Sequence, residues 1–238
     1  MLAVIDHRLP LSCRARLSAL GFTPLPLPPF PRLSEPVASH PDMLLLRVGD
    51  TLFCHRDYYA IAKNEIDQIL HVSGLSLCLT EDHTGETYPE DIALNFVFTG
   101  NCLLGKTEFL ARKVKEYAET HRISLLSVNQ GYAKCSTVVL GGAIITADTG
   151  IEAAAKGAGL DTLLVASGGV TLPPYPYGFL GGASGVCGKT VFFCGNLKGH
   201  ADGKAIEAFC QKHGYAVVSL SDEPLFDAGT LLFFNKNG

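Results

Sequence analysis

The stretch HPDMLLLRVGDTLFCHRDYYAIAKNEIDQILHVSGLSLCLT, residues 40–80, predicts the architecture of the whole chain. It begins with two apolar runs separated by Gly49-Asp50, a dipeptide typical of a tight hairpin turn. An amphipathic segment follows at 58–70, and a third apolar run occupies 75–80. The stretch therefore predicts one unit made of two antiparallel strands, a helix and a third strand.

The same order of segments recurs along the chain. Further copies begin at 88–99 (YPEDIALNFVFT), 133–140 (AKCSTVVL) and 181–187 (GGASGVC), and a fifth is split between 227–234 (DAGTLLFF) and 1–6 (MLAVID). The landmark residues Asp42, Asp91, Cys135, Ser184 and Asp227 are 49, 44, 49 and 43 residues apart. We therefore predict a single α/β domain over 1–238, a five-bladed pseudo-symmetric propeller closed by pairing of the terminal strands.

The segment TGNCLLGKTEFL, residues 99–110, matches the phosphate-loop pattern through Gly100, Gly105, Lys106 and Thr107. The repeat favours another interpretation, because Gly100-Asn101 falls at the position of Gly49-Asp50 and CLLG then becomes a strand. Two strands per helix also disagree with a doubly wound parallel sheet, which has one. Nucleotide hydrolysis through Lys106 remains the less favoured alternative.

The composition of the chain excludes several classes of protein. The net charge is −4 and the isoelectric point is near 6.0, so a nucleic-acid-binding surface is not expected. The longest apolar stretch, 136–147, is too short to span a bilayer, and Asp6 and Pro10 interrupt any N-terminal signal sequence. We expect a cytoplasmic protein.

The eight cysteines do not form C-x-x-C pairs, and their spacing fits no zinc site. In a chain without a signal sequence, most cysteines are reduced, buried and used as small apolar groups. We therefore expect neither a metal nor an organic cofactor.

A cyclic array of five such units resembles the pentein, or guanidine-modifying-enzyme, fold. That superfamily contains arginine and agmatine deiminases, dimethylarginine dimethylaminohydrolase, amidinotransferases and non-catalytic ribosome anti-association factors. Runs such as HPDMLLLRVGD, VNQGYAKCS, IITAD, GFLGGASG, GHAD and LFDAGT resemble an uncharacterised bacterial family of that fold. The resemblance covers the whole chain at the level of repeats.

The resemblance implies a central pocket in which a cysteine attacks a guanidinium carbon and the histidine of an H-x-D motif moves protons. His40 and Asp42 match H-x-D at the start of a first strand. Cys135 is the candidate nucleophile, because it alone among the cysteines lies at a first-strand start, and Lys134 beside it favours a thiolate. The alternatives are a turn-forming role for Asp42 and a buried apolar role for Cys135.

Carboxylates of such a pocket hold the guanidinium nitrogens. Asp91 and Asp227 occupy the positions equivalent to Asp42 in two other units, and Ser184 offers a hydroxyl within the glycine-rich loop 178–185. The glycines alternatively only permit close packing at a crowded axis. Residues 172–179, LPPYPYGF, form either a pocket rim or a rigid connector.

Two further groups have structural interpretations. His200 is expected on the surface, and Asp202 is expected to cap the fourth helix. In the deiminases the nucleophile follows a glycine run near the C-terminus, and here that place reads DAGTLLFF, without cysteine. The resemblance thus implies either a Cys-dependent hydrolase of a guanidino or related amino-acid-like small molecule, or a non-catalytic propeller that serves as a binding or assembly module.

Overall fold

Short strands and short helices alternate along the chain, of which a computed structural model describes residues 1–80 and 85–235. The strands are β1 (Leu2–Asp6), β2 (Thr23–Leu27), β3 (Leu45–Val48), β4 (Thr51–His55), β5 (Ser76–Thr80), β6 (Val97–Phe98), β7 (Cys102–Gly105), β8 (Ser124–Ser127), β9 (Thr137–Val139), β10 (Ala143–Thr146), β11 (Asp161–Leu164), β12 (Val170–Thr171), β13 (Ser184–Cys187), β14 (Thr190–Phe193), β15 (Ala216–Ser219), β16 (Leu225–Phe226) and β17 (Leu232–Phe234). The α-helices are α1 (Leu11–Ala19), α2 (Pro41–Leu44), α3 (Arg56–Ile61), α4 (Lys63–Ser73), α5 (Arg112–Thr120), α6 (Thr149–Gly157) and α7 (Gly203–Lys212). Single 3₁₀ turns lie at Glu35–Val37, Thr107–Phe109 and Leu197–Gly199.

The predicted unit of two strands, a helix and a third strand is found in each of the expected places. The three-stranded sheets have the orders β17-β1-β2, β3-β4-β5, β6-β7-β8, β9-β10-β11 and β13-β14-β15. In each sheet the central strand pairs antiparallel with the first strand and parallel with the third. The helix follows the central strand, because a parallel connection requires a crossover.

The terminal strands pair as the sequence predicted, with Ala3 opposite Phe233 in an antiparallel ladder. Strands of the described residues fall into separate sheets, and no closed sheet links them. A small parallel sheet of β12 and β16, which the repeat did not predict, accompanies the five larger sheets.

The first strands start later than the apolar pattern predicted. Pro41 begins the single turn α2, because its fixed φ suits the first helical position, and β3 therefore starts only at Leu45. Cys135 similarly lies in a turn that precedes β9. The candidate site residues His40, Asp42 and Cys135 therefore lie on turns just before the first strands of their units, from which their side chains can reach neighbouring units.

Apolar side chains fill the space between neighbouring units. One buried cluster joins Val4 of β1, Leu52 of β4 and Ile66 of α4, and a second joins Ile145 of β10 with Phe193 of β14. The turns before the first strands are therefore anchored on a packed interior. None of the helices in the described part of the chain is long and apolar enough to cross a membrane.

The phosphate-loop pattern at 99–110 forms a hairpin, as the repeat predicted. Gly100 occupies the turn with φ +96°, and β7 pairs with both β6 and β8, so its backbone N–H groups lie within a sheet. The ammonium of Lys106 lies 5.2 Å from the ring centroids of both Tyr88 and Phe109. A phosphate cradle requires free N–H groups at a helix N-terminus, which this arrangement does not provide.

Gly105 is required for packing, which gives a test of the hairpin. A Cβ at Gly105 would lie 2.5 Å from the ring of buried Phe96, whereas a Cβ at Gly142 would meet nothing within 4 Å. We expect Gly105→Ala to lower the free energy of unfolding by about 1–3 kcal/mol, and Gly142→Ala to change it little. Urea unfolding of both variants measures the difference, and equal stabilities would contradict this packing.

Candidate active site

Four of the residues singled out from the sequence come together in the structure: His40, Asp42, Cys135 and Asp227. Each is at most 3% exposed. Cys135 Sγ lies 3.2 Å from Asp42 Oδ1, and His40 Nδ1 lies 3.9 Å from Asp227 Oδ1. Residues 93 positions apart in sequence therefore form one buried cluster.

Asp42 is fixed by the C-terminal unit. Its backbone N–H donates to Gly229 O over 3.0 Å, and its Oδ2 accepts from the Thr230 hydroxyl over 2.7 Å. Thr230 has φ +65°, a conformation that β-branched residues rarely adopt. Gly229 is also held at φ +63°, and a Cβ there would lie 2.2 Å from the Cβ of His40. The segment DAGT is thus shaped to hold His40 and Asp42.

Cys135 is positioned by the fully buried amide of Asn95. Asn95 Oδ1 accepts from the backbone N–H groups of Lys134 and Cys135, at 2.8 and 3.3 Å, and Nδ2 donates to Cys135 Sγ over 3.1 Å. Burial raises the pKa of the Cys135 thiol well above its ordinary value, and the charges of Asp42 and Asp227 raise it further. The resting thiol is therefore protonated and donates to Asp42.

Lys134 does not form the close partner of Cys135 that the sequence suggested. Its ammonium donates to the Thr230 hydroxyl over 3.3 Å and to Thr137 O over 3.4 Å. Burial lowers the pKa of Lys134, while Asp42 and Cys135 act in the opposite direction. Lys134 thus contacts the cluster through Thr230 rather than through the sulfur.

His40 is oriented by a second carboxylate at the end of β1. Its Nε2 lies 3.4 Å from Asp6 Oδ2, and the Arg8 guanidinium contacts both Asp6 Oδ2 and Pro36 O. The same Nη2 group lies 3.4 Å from His40 Nε2, so this nitrogen contacts both Arg8 and Asp6. His40 Nδ1 is buried and makes no hydrogen bond.

A cavity of about 250 Å³ reaches this cluster. Its wall contains His40, Cys135 and Asp227 together with Val37, Met43, Leu172, Pro176 and the aromatic residues Tyr132, Tyr175, Tyr177 and Phe179. The segment LPPYPYGF is therefore the pocket rim, one of the two roles its sequence allowed. The cavity combines an acid, a thiol and an imidazole at its base with aromatic rings at its side.

The Asp227 carboxylate lines the cavity and accepts hydrogen bonds from two backbone N–H groups. It accepts from Phe179 N over 2.8 Å and from Gly229 N over 3.1 Å. Burial raises the pKa of Asp227, and His40 partly offsets that rise. A Cβ at Gly182 would lie 1.9 Å from Asp227 Oδ1, so the glycine-rich loop allows close approach to this acid. That agrees with the packing interpretation of the loop.

The other two candidate binding residues lie outside this cavity. Asp91 is buried behind Tyr132, whose hydroxyl donates to its Oδ2 over 2.8 Å, and burial raises the pKa of Asp91. Ser184 begins β13, donates to Gly181 O over 3.0 Å, and lines a separate surface cavity. The five landmark residues occupy equivalent positions in their units, but the structure does not bring all five side chains together.

The expectation that His200 is exposed is wrong. It is 5% exposed and lines a second cavity of about 170 Å³ with Gln130, Asp148 and Tyr177. Its Nδ1 accepts from Asp202 N over 3.1 Å. Asp202 occupies the N-cap position of α7, but its carboxylate accepts from Ala166 N rather than from the helix. Loop 166–169 packs over this histidine, a tertiary contact without a local sequence signal.

Sequence reasoning missed Asp6, Arg8, Asn95 and Thr230 as parts of the cluster. Asp6 carried a usable signal, because it is an acid at the carboxyl end of an otherwise apolar central strand. Asn95 interrupts the apolar run 92–98, and a polar residue within such a run marks a specific hydrogen-bonding role. Arg8 and Thr230 carried no signal that distinguishes them from ordinary surface and turn residues.

One nitrogen, one oxygen and one sulfur of His40, Asp42 and Cys135 lie within 4.8 Å of one another. These atom types are metal ligands, although the sequence spacing fits no familiar zinc motif. The cluster can therefore act chemically in two ways, as a nucleophile with its acid-base partners or as a set of ligands.

A model of the family of unknown function DUF6873 matches residues 4–232. The chain belongs to this family. A search of the curated proteins finds no match.

Solved structures similar to this DUF6873 protein belong to the pentein, or guanidine-modifying-enzyme, fold. A dimethylarginine dimethylaminohydrolase variant in adduct with S-methyl-L-thiocitrulline has a TM-score of 0.58 at 10% identity, over 93% of this chain and 91% of that one. The adduct of that enzyme with 4-chloro-2-hydroxymethylpyridine has 0.55 at 12%, over 93% and 91%. SxtG, an amidinotransferase from Microseira wollei in the saxitoxin biosynthetic pathway, has 0.53 at 12%, over 92% and 88%. The likeness establishes the mixed α/β fold.

The raised pKa of Cys135 predicts slow alkylation of the native protein. Up to about pH 8.5, where a free thiol is half ionised, we expect iodoacetamide to modify Cys135 more slowly than the half-buried Cys78. Asp42→Asn removes a negative charge 3.2 Å from the sulfur, so Cys135 should react faster in that variant at the same pH.

Peptide mass spectrometry after timed alkylation gives the rate at each cysteine. Asp161→Asn is the matched control, since Asp161 forms a surface pair with Lys212 and lies outside the cluster. A wild-type Cys135 that reacts faster than Cys78, or one unaffected by Asp42→Asn, would contradict the electrostatic description.

Proposed function

We propose that this DUF6873 protein binds a small guanidino or related cationic, amino-acid-like compound in the 250 Å³ cavity and hydrolyses it through Cys135. The observation that carries the proposal is the convergence of a thiol, an imidazole and a carboxylate at the base of one cavity with an aromatic wall. Its structural neighbours include guanidine-modifying enzymes, and this likeness supports the same substrate class.

The charges around the cavity favour a cation. Asp6, Asp42 and Asp227 are fully buried carboxylates, whereas Arg8 pairs with Asp6 and burial lowers the pKa of the Lys134 ammonium. A planar guanidinium suits this excess of carboxylate, because its N–H groups can donate to two acceptor oxygens at once.

The aromatic wall favours the same ligand. Tyr132 and Phe179 lie with their ring centroids 6.3 Å apart, and Tyr177 continues the wall toward solvent. A cation over such rings gains cation–π attraction of about 0.5–2 kcal/mol, depending on how far it is desolvated. The wall therefore adds affinity for a delocalised cation beyond the contact with Asp227.

The proposed chemistry begins from a protonated thiol. A guanidinium bound beside Asp227 offsets the negative charges that raise the pKa of Cys135, so the thiol proton can pass by way of Asp42 to His40. The thiolate then attacks the guanidinium carbon, and His40 gives this proton to the departing amine or ammonia. Water next attacks the carbon of the resulting S-alkylthiouronium with His40 as the base, and the C–S bond breaks. One water proton returns to the sulfur and the other leaves with the released amine or ammonia, so a ureido product and the free thiol remain.

The proposed nucleophile comes from a different unit than in the deiminases. The segment DAGT occupies the place of the deiminase cysteine, and here its Asp227 faces the cavity that Cys135 reaches from the third unit. We further propose that the five units surround a pseudo-fivefold axis as a single-domain propeller in the cytoplasm. The pairing of β1 with β17 supports that arrangement.

A non-catalytic binding role is the second candidate. The burial of Cys135 and its raised pKa favour it, because an unactivated thiol serves equally well as part of a pocket wall. In that case the cavity would hold the same cationic ligand without releasing a product. Turnover separates the two candidates.

Activity measurements test the proposed function directly. We expect a panel of guanidino compounds, including arginine, agmatine and methylated arginines, to yield at least one that releases ammonia or amine together with a ureido product. Cys135→Ser should abolish turnover and retain binding, because serine keeps the shape of the site. Asp227→Asn should weaken binding roughly ten- to hundredfold, since it removes a charged hydrogen-bond acceptor.

Cys187→Ser provides the control, because Cys187 lies at the half-buried end of β13 against Met1. Its turnover should equal that of the wild type. Turnover that survives Cys135→Ser would refute covalent catalysis, and binding without turnover in the wild type would favour the non-catalytic role.

A further inference from the structure

We propose that His40, Asp42 and Cys135 form a binding site for one divalent ion of the zinc class. One ligand atom from each residue lies within 4.8 Å of the other two, and all three residues are buried. This inference goes beyond the proposed hydrolase and does not depend on it, because metal binding requires no substrate.

The imidazole of His40 is prepared as a ligand. Its Nδ1 is buried and makes no hydrogen bond, which is costly for a polar atom in the interior. Its Nε2 lies 3.4 Å from both Asp6 Oδ2 and Arg8 Nη2, so with an ion on Nδ1 the imidazole hydrogen would lie on Nε2 and face Asp6. A carboxylate on the far nitrogen of a histidine is the usual support of a metal-binding imidazole, because it fixes the tautomer and raises the basicity of the free nitrogen.

The other two ligands have comparable supports. Thr230 donates to Asp42 Oδ2 over 2.7 Å and leaves Oδ1 facing Cys135 Sγ at 3.2 Å. Tetrahedral zinc with bonds of about 2.3 Å to sulfur and 2.1 Å to oxygen would separate these atoms by about 3.6 Å. The Asn95 amide donates to the Cys135 sulfur over 3.1 Å. The sulfur and Asp42 Oδ1 need to separate by about 0.4 Å to admit an ion of this geometry.

The ligand types select the class of ion. A sulfur, a nitrogen and a single carboxylate oxygen suit zinc or cobalt, whereas magnesium and calcium require oxygen ligands throughout. Three protein ligands leave a fourth position open, and the 250 Å³ cavity that contacts His40 and Cys135 gives the ion a path of entry. A dication also neutralises part of the excess of buried carboxylate around His40.

Binding of the ion releases one proton. The Cys135 thiol loses its hydrogen as the S–metal bond forms, and no electron is transferred. The same sulfur cannot be both a metal ligand and a free nucleophile, so the two states of the cluster exclude each other. Affinity for the ion should accordingly rise with pH.

Cobalt(II) added to the purified protein tests the site. We expect one equivalent to give a sulfur-to-cobalt charge-transfer absorption and intense visible bands of tetrahedral cobalt, both removed by an equivalent of zinc. Cys135→Ser should lose the charge-transfer absorption. Cys78→Ser, which changes a half-buried cysteine outside the cluster, should retain it.

Asp6→Asn gives a second readout that does not depend on removing a ligand. It leaves the three ligands in place, so the absorption should persist while affinity falls about ten- to hundredfold. Circular dichroism of each metal-free variant confirms that it is folded. A wild-type protein without the charge-transfer absorption, or an absorption that persists in folded Cys135→Ser, would overturn the proposal. Turnover of guanidino compounds has no bearing on either result.

Discussion

The hydrogen bonds of Asp42 join three parts of the chain on which the site depends. Its backbone N–H and its Oδ2 bind the C-terminal segment at Gly229 and Thr230, and its Oδ1 accepts from Cys135 of the third unit. Thr230 holds a left-handed conformation that costs about 1–3 kcal/mol, and only surrounding contacts maintain it. The hydrogen bonds that assemble the cluster therefore also maintain the strained backbone conformation of Thr230.

Burial makes any additional negative charge in this cluster costly. Asp42 and Asp227 lie beside a thiol whose pKa burial has already raised, so a further negative charge at Cys135 is strongly disfavoured without a cation. A guanidinium and a metal ion meet that requirement in different ways. The proposed guanidinium would lie in the cavity beside Asp227 and its aromatic wall, whereas the proposed ion would lie between the sulfur, the imidazole and Asp42.

The sequence predicted the repeat because hairpin turns and alternating apolar residues are local features, as at Gly49-Asp50 and Gly100-Asn101. It also located His40, Asp42, Cys135 and Asp227, which lie just before first strands. It could not show that Asp91 turns away behind Tyr132, that His200 is buried, or that Asn95 holds the sulfur. Those facts depend on contacts between units, which have no periodic signal.

A fold of repeated units explains how the proposed nucleophile Cys135 can lie in the third unit. Turns that precede the first strands of different units reach one cavity, since Asp227 of the C-terminal segment and Cys135 of the third unit both contribute to its wall. A reactive group can therefore change units without leaving the pocket, provided that the new position is supported. Asn95 supplies that support to Cys135, and the glycines at 181 and 182 leave space for the backbone of 134–137 and for Asp227. The close packing at these glycines thus positions Cys135 and Asp227 as well as stabilising the fold.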